Sequence, residues 1–250
     1  MYINDTYIGF YLLAAILGLG SGQLVDWMNE RLPENKSVFS RDIFRKYKME
    51  FKPNYILMII TAIIYVGLVY KFGVQNTIIG NLNLIKYVIL TPMLLSAFVI
   101  DYKKQIITNR LNLRIFEIGL VIAFLYGMSN VAITIDMLLG MVAGTVIFFI
   151  IALIGKIFFG KEAMGFGDIK FISAIGLYFG LTNIITISIM AFLIGAIIGG
   201  ILLLLKRKKT EEYMSFGPFI VVAAFVSVFV PFDIIITVLK MILTLGMYRR

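Results

Sequence analysis

The sequence predicts an all-α membrane protein with about eight transmembrane helices and its N-terminus outside. Of its 250 residues, 60% are hydrophobic and 15% are charged, whereas soluble domains average roughly 45–50% apolar and about 25% charged residues. The 23 Lys and Arg residues outnumber the 14 Asp and Glu residues, and most lie in short segments between long apolar runs. The composition therefore predicts a chain that crosses a bilayer many times.

Eight apolar runs have the composition of a membrane span, for which about 20 residues are needed. The sixth run is short, and the last is too long for one helix. Eight spans are predicted, and a division of the last run at Pro231, which would give a ninth span, is the alternative. We place the eight spans at residues 8–25, 55–70, 84–100, 115–128, 133–155, 169–179, 184–205 and 216–239.

The orientation of the spans follows from the Lys and Arg residues, 18 of which lie in residues 26–54, 101–114, 155–170 and 206–212. These segments alternate along the chain, so all four would face the same side of the membrane. Because cytoplasmic loops are rich in Lys and Arg, that side is predicted to be cytoplasmic. We therefore expect a multi-pass protein of the cytoplasmic membrane in contact with lipid. A nucleic-acid partner is not expected, since the basic residues flank separate spans.

The chain contains neither histidine nor cysteine, which narrows the chemistry that it can perform. Catalytic triads with His, thiol nucleophiles and Cys/His zinc sites are excluded, and no metal site is predicted. An ionisable side chain inside a span costs about 2.5–3.5 kcal/mol or more, so it needs a partner or a function. Five acids lie in or beside spans and are the candidates for chemistry: Asp101, Glu117, Asp136, Asp168 and Asp233.

Two of these acids, Asp101 and Asp168, are predicted at cytoplasmic span ends. Two carboxylates within hydrogen-bond distance do not both ionise easily, so one would stay protonated. The anion can take a proton from a water that attacks an amide, while the acid protonates the carbonyl oxygen. Glu117, about one turn inside the fourth span, is either a third acid near this pair or the partner of a Lys or Arg at the membrane edge. Asp136 is predicted at the outer face.

The residues before Asp168, Gly165-Phe166-Gly167, place two glycines ahead of the acid. Glycine permits a sharp turn into a helix and the close approach of a substrate backbone. The first turn of a helix also favours an ionised acid. A loop that ends in a helix-capping aspartate would have the same short pattern. Lys170 either adjusts this acid or extends towards lipid headgroups.

With these residues in view, the chain resembles the type IV prepilin peptidases, which are GxGD-type aspartyl proteases. Residues 164–170 resemble the motif of the second aspartate in that family. Asp101, followed by residues 106–109, resembles the first motif, with Thr108 in place of the usual Pro. Residues 215–219 resemble the run Pro-Phe-Gly-Pro-Phe, with Ser215 in place of the first Pro. We therefore expect Asp101 and Asp168 to be the catalytic pair, with a substrate slot supported by Gly165, Phe166, Gly167, Lys170, Phe216, Gly217 and Pro218.

The N-terminal part of the chain resembles this family only partly. Gly22 and Arg31-Leu32-Pro33 match its pattern, whereas Gln23 and Asp26 stand where Ser and Asn are usual. Many members have two Cys-x-x-Cys pairs in the first cytoplasmic loop, and this chain has none. We expect residues 1–54 to comprise the first span with a short cysteine-free loop, and residues 55–250 to form the multi-span peptidase domain.

The resemblance implies an aspartic endopeptidase that removes the leader of prepilin or pseudopilin substrates at the cytoplasmic face, in type IV pilus assembly or protein secretion. It implies no cofactor for that reaction. It implies S-adenosyl-L-methionine for a second activity, methylation of the new N-terminus, although no residue of this sequence matches a methyl-donor site.

Three other functions are compatible with buried acids. A proton-coupled membrane transporter would use them as relays, but it predicts acids near the middle of the bilayer. A protease of the presenilin type would have Tyr before its first aspartate and a later Pro-Ala-Leu run, whereas here Ile100 precedes Asp101 and that run is absent. A catalytically silent assembly scaffold would be unaffected by mutation of Asp101.

Overall fold

The computed structural model describes residues 2–4, 6–34, 36, 38, 53–160, 164–205 and 215–244. In these ranges the chain is helical apart from connecting segments and two short antiparallel strands, β1 (Tyr2–Ile3) and β2 (Thr6–Tyr7). The helices are α1 (Ile8–Arg31), α2 (Tyr55–Phe72), α3 (Leu82–Lys104), α4 (Asn109–Gly127), α5 (Val131–Phe159), α6 (Phe166–Leu204), α7 (Gly217–Phe229) and α8 (Phe232–Leu243).

Five helical segments of the described chain are long and apolar enough to span a membrane. The predicted fold class, an all-α protein that crosses the membrane several times, is confirmed. The count of eight spans and the outside position of the N-terminus remain predictions. The five segments are Ile8–Glu34, Tyr55–Phe72, Leu82–Lys104, Val131–Phe158 and Phe166–Leu202.

The first helix extends beyond the predicted end of the first span. α1 continues to Arg31 and is followed by a 3₁₀ turn (Leu32–Glu34), whereas residues from Asp26 onwards were expected in a loop. Asp26 marks the end of the apolar run, but the sequence has no helix-breaking residue before Pro33. The basic residues predicted to face the cytoplasm that lie outside the described ranges are Arg41, Arg45, Lys46, Lys48, Lys52, Lys161, Lys206, Arg207, Lys208 and Lys209.

The stretch predicted as one span at residues 216–239 forms two helices. α7 ends at Phe229, and Val230 has an extended backbone (φ −92°, ψ 135°). Pro231 follows and precedes the first residue of α8. Because proline cannot donate the backbone hydrogen bond that a helix interior needs, the stretch divides at Pro231, which is the alternative that the sequence left open.

The chain divides into two compact units, and the change of unit falls inside α3. The first unit comprises Met1–Ile100 with Thr108–Ile115, and the second comprises Asp101–Ile107 with Phe116–Arg250. The predicted division at residue 54 was drawn from motifs rather than from packing, and it remains a prediction.

In the first unit, α1 packs closely along α2. A methyl group on Gly22 would lie 2.6 Å from the backbone nitrogen of Met58, too close for any side chain. At the ends of these helices, Asn54 caps α2 by accepting a hydrogen bond from the Leu57 amide (3.3 Å). The Asn54 side chain donates to Asp26 Oδ1 at 2.8 Å, and its amide donates to Gln23 Oε1 at 3.3 Å. The two residues that depart from the family pattern, Gln23 and Asp26, thus connect the end of α1 to the start of α2.

In the second unit, α5 and α6 pack backbone against backbone. A methyl group on Gly176 would lie 2.6 Å from the carbonyl carbon of Gly140, so this contact requires small residues. α6 is bent at Gly180, whose backbone is outside the helical region (φ 74°, ψ 177°). Asp136 Oδ1 accepts a hydrogen bond from the Leu181 amide at 3.1 Å, so it caps the half of α6 that follows the bend.

Candidate active site

Asp101 lies in the last turn of α3, at the end predicted to face the cytoplasm. At the end of the helix, the amide of Gln105 donates a hydrogen bond to the Asp101 carbonyl oxygen at 2.8 Å. Gln105 itself has a left-handed backbone (φ 54°). The side chain of Asp101 is only 3% exposed. A buried carboxylate must accept hydrogen bonds to offset the loss of water, so its donors define the site.

The donors to Asp101 come from the start of α7. Ser215 Oγ donates to Asp101 Oδ2 at 2.5 Å, and the amide of Gly217 donates to the same oxygen at 2.8 Å. Gly217 is the first residue of α7, with Pro218 directly behind it. The first amides of a helix have no partner within the helix, and a carboxylate is the partner that its dipole favours.

The loop after Asp101 brings a second predicted motif to the same place. A methyl group on Gly217 would overlap Asp101 Oδ2 and would lie 3.1 Å from Ile107 Cδ1. A methyl group on Gly167 would lie 3.5 Å from both the Cβ and the carbonyl oxygen of Ile107. Ile107 therefore lies between the two glycines. We refer to Asp101, Ile107, Gly167, Ser215 and Gly217 as the Asp101 cluster.

Asp168 follows Gly167 directly and, like Asp101, is 3% exposed. It lies in the first turn of α6, as predicted, and its amide donates to the carbonyl oxygen of Gly165 at 3.1 Å. The second acid of the predicted pair is therefore buried, and it is the residue that follows Gly167 of the Asp101 cluster in the chain. The pairing of the two carboxylates remains a prediction.

Gly165 directly precedes α6, and Gly167 is its second residue. Neither glycine has a left-handed backbone, and their proposed role of leaving room for a substrate backbone stays a prediction. Phe166, between them, is 67% exposed, and Lys170 Nζ lies 5.9 Å from the centre of its ring. Both side chains could therefore be reached by a substrate. Their predicted role in contacting it stays a prediction.

Phe216 and Pro218 have packing roles in the structure. The Phe216 ring lies 4.9 Å from that of Phe192 and 5.8 Å from that of Phe148, centre to centre. A methyl group on Gly195 would lie 3.1 Å from the Phe216 ring. Pro218 is buried in the first turn of α7, where its missing amide hydrogen costs no helical hydrogen bond. These residues fix where α7 begins, and so they support the donors to Asp101.

The other acids have separate places in the fold. Asp136 caps the bend in α6. Glu117 is exposed on α4, and Asp233 is exposed in the first turn of α8. The described contacts do not bring Asp136 or Asp233 to the Asp101 cluster. Among the acids of the second unit that the structure describes, Asp101 and Asp168 therefore combine burial with a place in or beside this cluster.

Sequence reasoning missed the roles of Ser215 and Ile107. Ser215 was recognised within its motif only as a departure, and Ile107 only as part of the segment after Asp101. A hydroxyl residue just before a helix start is a signal for a hydrogen bond at that helix, but it does not identify a partner 114 positions away in sequence.

The chain is similar to proteins of one family. Residues 88–204 match the family described as the type IV leader peptidase family. This range contains Asp101 and Asp168 and ends before Ser215. No solved structure matches the chain.

Individual relatives have the name prepilin leader peptidase/N-methyltransferase. The protein from Xanthomonas campestris pv. campestris is 30% identical over 173 residues, 68% of this chain and 56% of that protein. The protein from Pseudomonas aeruginosa is 31% identical over 139 residues, 56% of this chain and 47% of that protein. The protein from Aeromonas hydrophila is 26% identical over 155 residues, 62% of this chain and 52% of that protein. The chain thus spans about half the length of these relatives.

Proposed function

We propose that the chain, whose residues 88–204 match the type IV leader peptidase family, is a membrane aspartic endopeptidase that removes the leader of prepilin-like substrates. The observation that supports this most strongly is the buried carboxylate of Asp101, bound by Ser215 and Gly217 in a cluster that includes Gly167, the residue before Asp168. Three separated motifs of the sequence meet there.

The proposed reaction is hydrolysis of a peptide bond by two carboxyl groups. One of the pair is ionised and takes a proton from a water molecule whose oxygen attacks the scissile carbonyl carbon. The other is protonated and gives its proton to the carbonyl oxygen. When the carbon–nitrogen bond breaks, the carboxyl group that received the water proton donates it to the leaving amine. A hydroxyl of the tetrahedral intermediate returns its proton to the other carboxylate as the product carboxyl group forms, so both acids regain their starting states. The reaction uses Asp101 and Asp168 and needs no cofactor.

The substrate class follows from the family resemblance and from the place of the site. We propose prepilins or pseudopilins with a short basic leader that ends next to Gly and an apolar mature segment, often beginning with Phe. The apolar segment of such a substrate lies in the bilayer, and its leader junction would lie at the cytoplasmic ends of α3 and α6. The protein would therefore act in the cytoplasmic membrane with its active site facing the cytoplasm, for pilus assembly or secretion.

The name of the relatives also includes N-methyltransferase, and methylation of the new N-terminus by this chain would need S-adenosyl-L-methionine. Buried polar atoms without a hydrogen bond in the described chain include Asn29 Nδ2 and Thr108 Oγ1, both in the first unit. These two atoms do not identify a pocket for a nucleoside that also bears an amino acid, and no residue of this sequence matches a methyl-donor site. We therefore derive no methylation step and limit the proposal to cleavage.

The proposal is tested by co-expression with candidate prepilins and mass spectrometry of the product N-terminus. We expect the unmodified chain to release the leader. Asp101→Asn and Asp168→Asn should each reduce cleavage by at least about 10²-fold, because an amide cannot exchange the proton that general acid–base catalysis requires. The same spectra report any added methyl group on the product.

The matched control is Asp233→Asn, which makes the same chemical change at an exposed acid in the first turn of α8. It should leave cleavage unchanged, and all variants should insert into the membrane equally. Full processing by Asp168→Asn would contradict the proposal. Proton-dependent transport without cleavage of any prepilin would instead favour the transporter, to which the matched relatives give no support.

A further inference from the structure

The hydroxyl group of Ser215 has an unusual position for a residue that precedes a helix. It does not cap α7, since its described hydrogen bond runs to Oδ2 of Asp101 at 2.5 Å. The amide of Gly217, two residues later, donates to the same oxygen at 2.8 Å. Ser215 and Gly217 thus act on one atom of a side chain that is only 3% exposed.

The number of donors limits what Oδ2 can do. A carboxylate oxygen has two lone-pair sites, and here one is occupied by a hydroxyl hydrogen and the other by an amide hydrogen. A proton carried by Asp101 therefore belongs on Oδ1, and the same oxygen is left to contact a water molecule or a substrate. The two donors also fix the rotation of the carboxylate plane.

The two donors are not equivalent. The Gly217 amide belongs to the backbone of α7 and is present whatever side chain occupies this position. The Ser215 hydroxyl is a property of this sequence, because the family run that residues 215–219 resemble has Pro there, and proline has no hydrogen-bond donor in its side chain or backbone. Substitution of Ser215 thus removes one donor and keeps the other.

We propose that Ser215 is a positioning residue that, together with the Gly217 amide, occupies Oδ2 of Asp101 and directs Oδ1 to the reacting water. This inference rests on the proposed function of the Asp101–Asp168 pair. It assigns different tasks to the two oxygen atoms of Asp101 and gives a residue outside the matched family range a part in the reaction.

Ser215→Ala tests the proposal in the purified full-length protein with a synthetic prepilin-like peptide in detergent micelles. We expect kcat to fall about tenfold, which corresponds to about 1.4 kcal/mol, with KM unchanged, because the peptide does not contact the hydroxyl. Ser215→Thr keeps a hydroxyl at the same carbon and should restore kcat to within about threefold of the unmodified protein.

The matched control is Ser188→Ala, which removes another hydrogen-bonded serine hydroxyl of the second unit. Ser188 is 1% exposed and donates to the Ile184 carbonyl oxygen at 2.7 Å within α6. This variant reports the effect of losing a buried hydroxyl that does not contact an acid, and kcat should be unchanged. An unchanged kcat in Ser215→Ala, or a loss that Ser215→Thr does not restore, would overturn the proposal.

Infrared spectroscopy keeps the proposal testable even if no substrate is cleaved. The difference spectrum between the unmodified protein and Asp101→Asn identifies the carboxyl bands of Asp101. Ser215→Ala should shift these bands and Ser188→Ala should not. Bands of Asp101 that do not respond to Ser215→Ala would refute the hydrogen-bond assignment. A shift without cleavage in the unmodified protein would refute the proposed function and leave the contact of Ser215 with Asp101 in place.

Discussion

The Oδ2 atom of Asp101 receives both of its described hydrogen bonds from residues 114 and 116 positions further along the chain. Such a contact stabilises a buried carboxylate and also fixes the start of α7 against the end of α3. One side chain therefore holds together a helix end, a helix start and the candidate active site. Even a substitution that adds or removes a single small group next to this atom should therefore reduce cleavage strongly.

Gly217→Ala is the sharpest steric test of this arrangement. The added methyl group would overlap Asp101 Oδ2 and lie 3.1 Å from Ile107 Cδ1, so the carboxylate must move away from its donors. Because small displacements of catalytic groups are costly, we expect cleavage to fall by about 10²-fold. The measurement is the rate of leader release from a prepilin-like peptide by purified protein.

Gly200→Ala is the control for this substitution. A methyl group on Gly200 would have no neighbouring atom within 4 Å, and this residue also lies in a helix. Cleavage should remain unchanged, and stability should rise slightly because Ala favours the helix over Gly by roughly 0.5–1 kcal/mol. A fully active Gly217→Ala protein would contradict the geometry of the Asp101 cluster.

The sequence predicted the places of the acids better than it predicted their partners. Asp101 was expected at a span end and Asp168 in the first turn of a helix, since both follow from the apolar pattern and from local motifs. The contact of Ser215 with Asp101 could not be predicted, because no local pattern specifies which distant side chain a hydroxyl will meet.

Asp136 lies outside the candidate site but supports α6, the helix that contains Asp168. The helix begins with the segment that contains Asp168 and bends at Gly180, where φ is 74°. Asp136 on α5 caps the second half through the Leu181 amide. The acid predicted at the outer face thus has a structural role at the bend, which is separate from the reaction.

Gly180→Ala is expected to lower the free energy of unfolding in micelles by at least about 1–2 kcal/mol, the cost of a left-handed backbone for a residue with a side chain. The new methyl group would also overlap Asp136 Oδ2. Asp136→Ala alone should cost about 0.5–2 kcal/mol through loss of the cap. The measurement is chemical denaturation followed by circular dichroism.

The double variant separates these two effects. Because Asp136→Ala removes the side chain that the new methyl group meets, Gly180→Ala with Asp136→Ala should be less destabilised than the sum of the two single variants. Additive free energies would mean that Asp136 and residue 180 do not interact, contrary to the structure.

Element boundaries were predictable where the sequence contains a residue that cannot continue a helix. Pro231 separates α7 from α8, as its missing amide hydrogen requires. The end of α1 was missed because Asp26 changes the polarity of the chain without changing its backbone preference. The apolar pattern therefore locates membrane segments, whereas helix ends depend on backbone chemistry and on contacts such as those of Asn54.

For the molecule as a whole, the candidate site belongs to one compact unit. Every residue of the Asp101 cluster, and Asp168, lies in the second unit, which begins at Asp101 itself. The multi-pass helical architecture could be predicted from composition alone, because a bilayer accepts few other structures. The prediction that the site faces the cytoplasm rests on the distribution of Lys and Arg alone. A labelling experiment tests it directly.

The chain has no cysteine, so a single introduced cysteine can be labelled without background. Lys103→Cys lies in the exposed last turn of α3, beside Asp101, and Asn76→Cys lies in the exposed segment between α2 and α3. If the site faces the cytoplasm, a membrane-impermeant maleimide added to intact cells should label Asn76→Cys and leave Lys103→Cys unlabelled until the cells are permeabilised. The opposite pattern would place Asp101 outside, where a leader on the cytoplasmic side does not reach it, and would refute the proposed orientation.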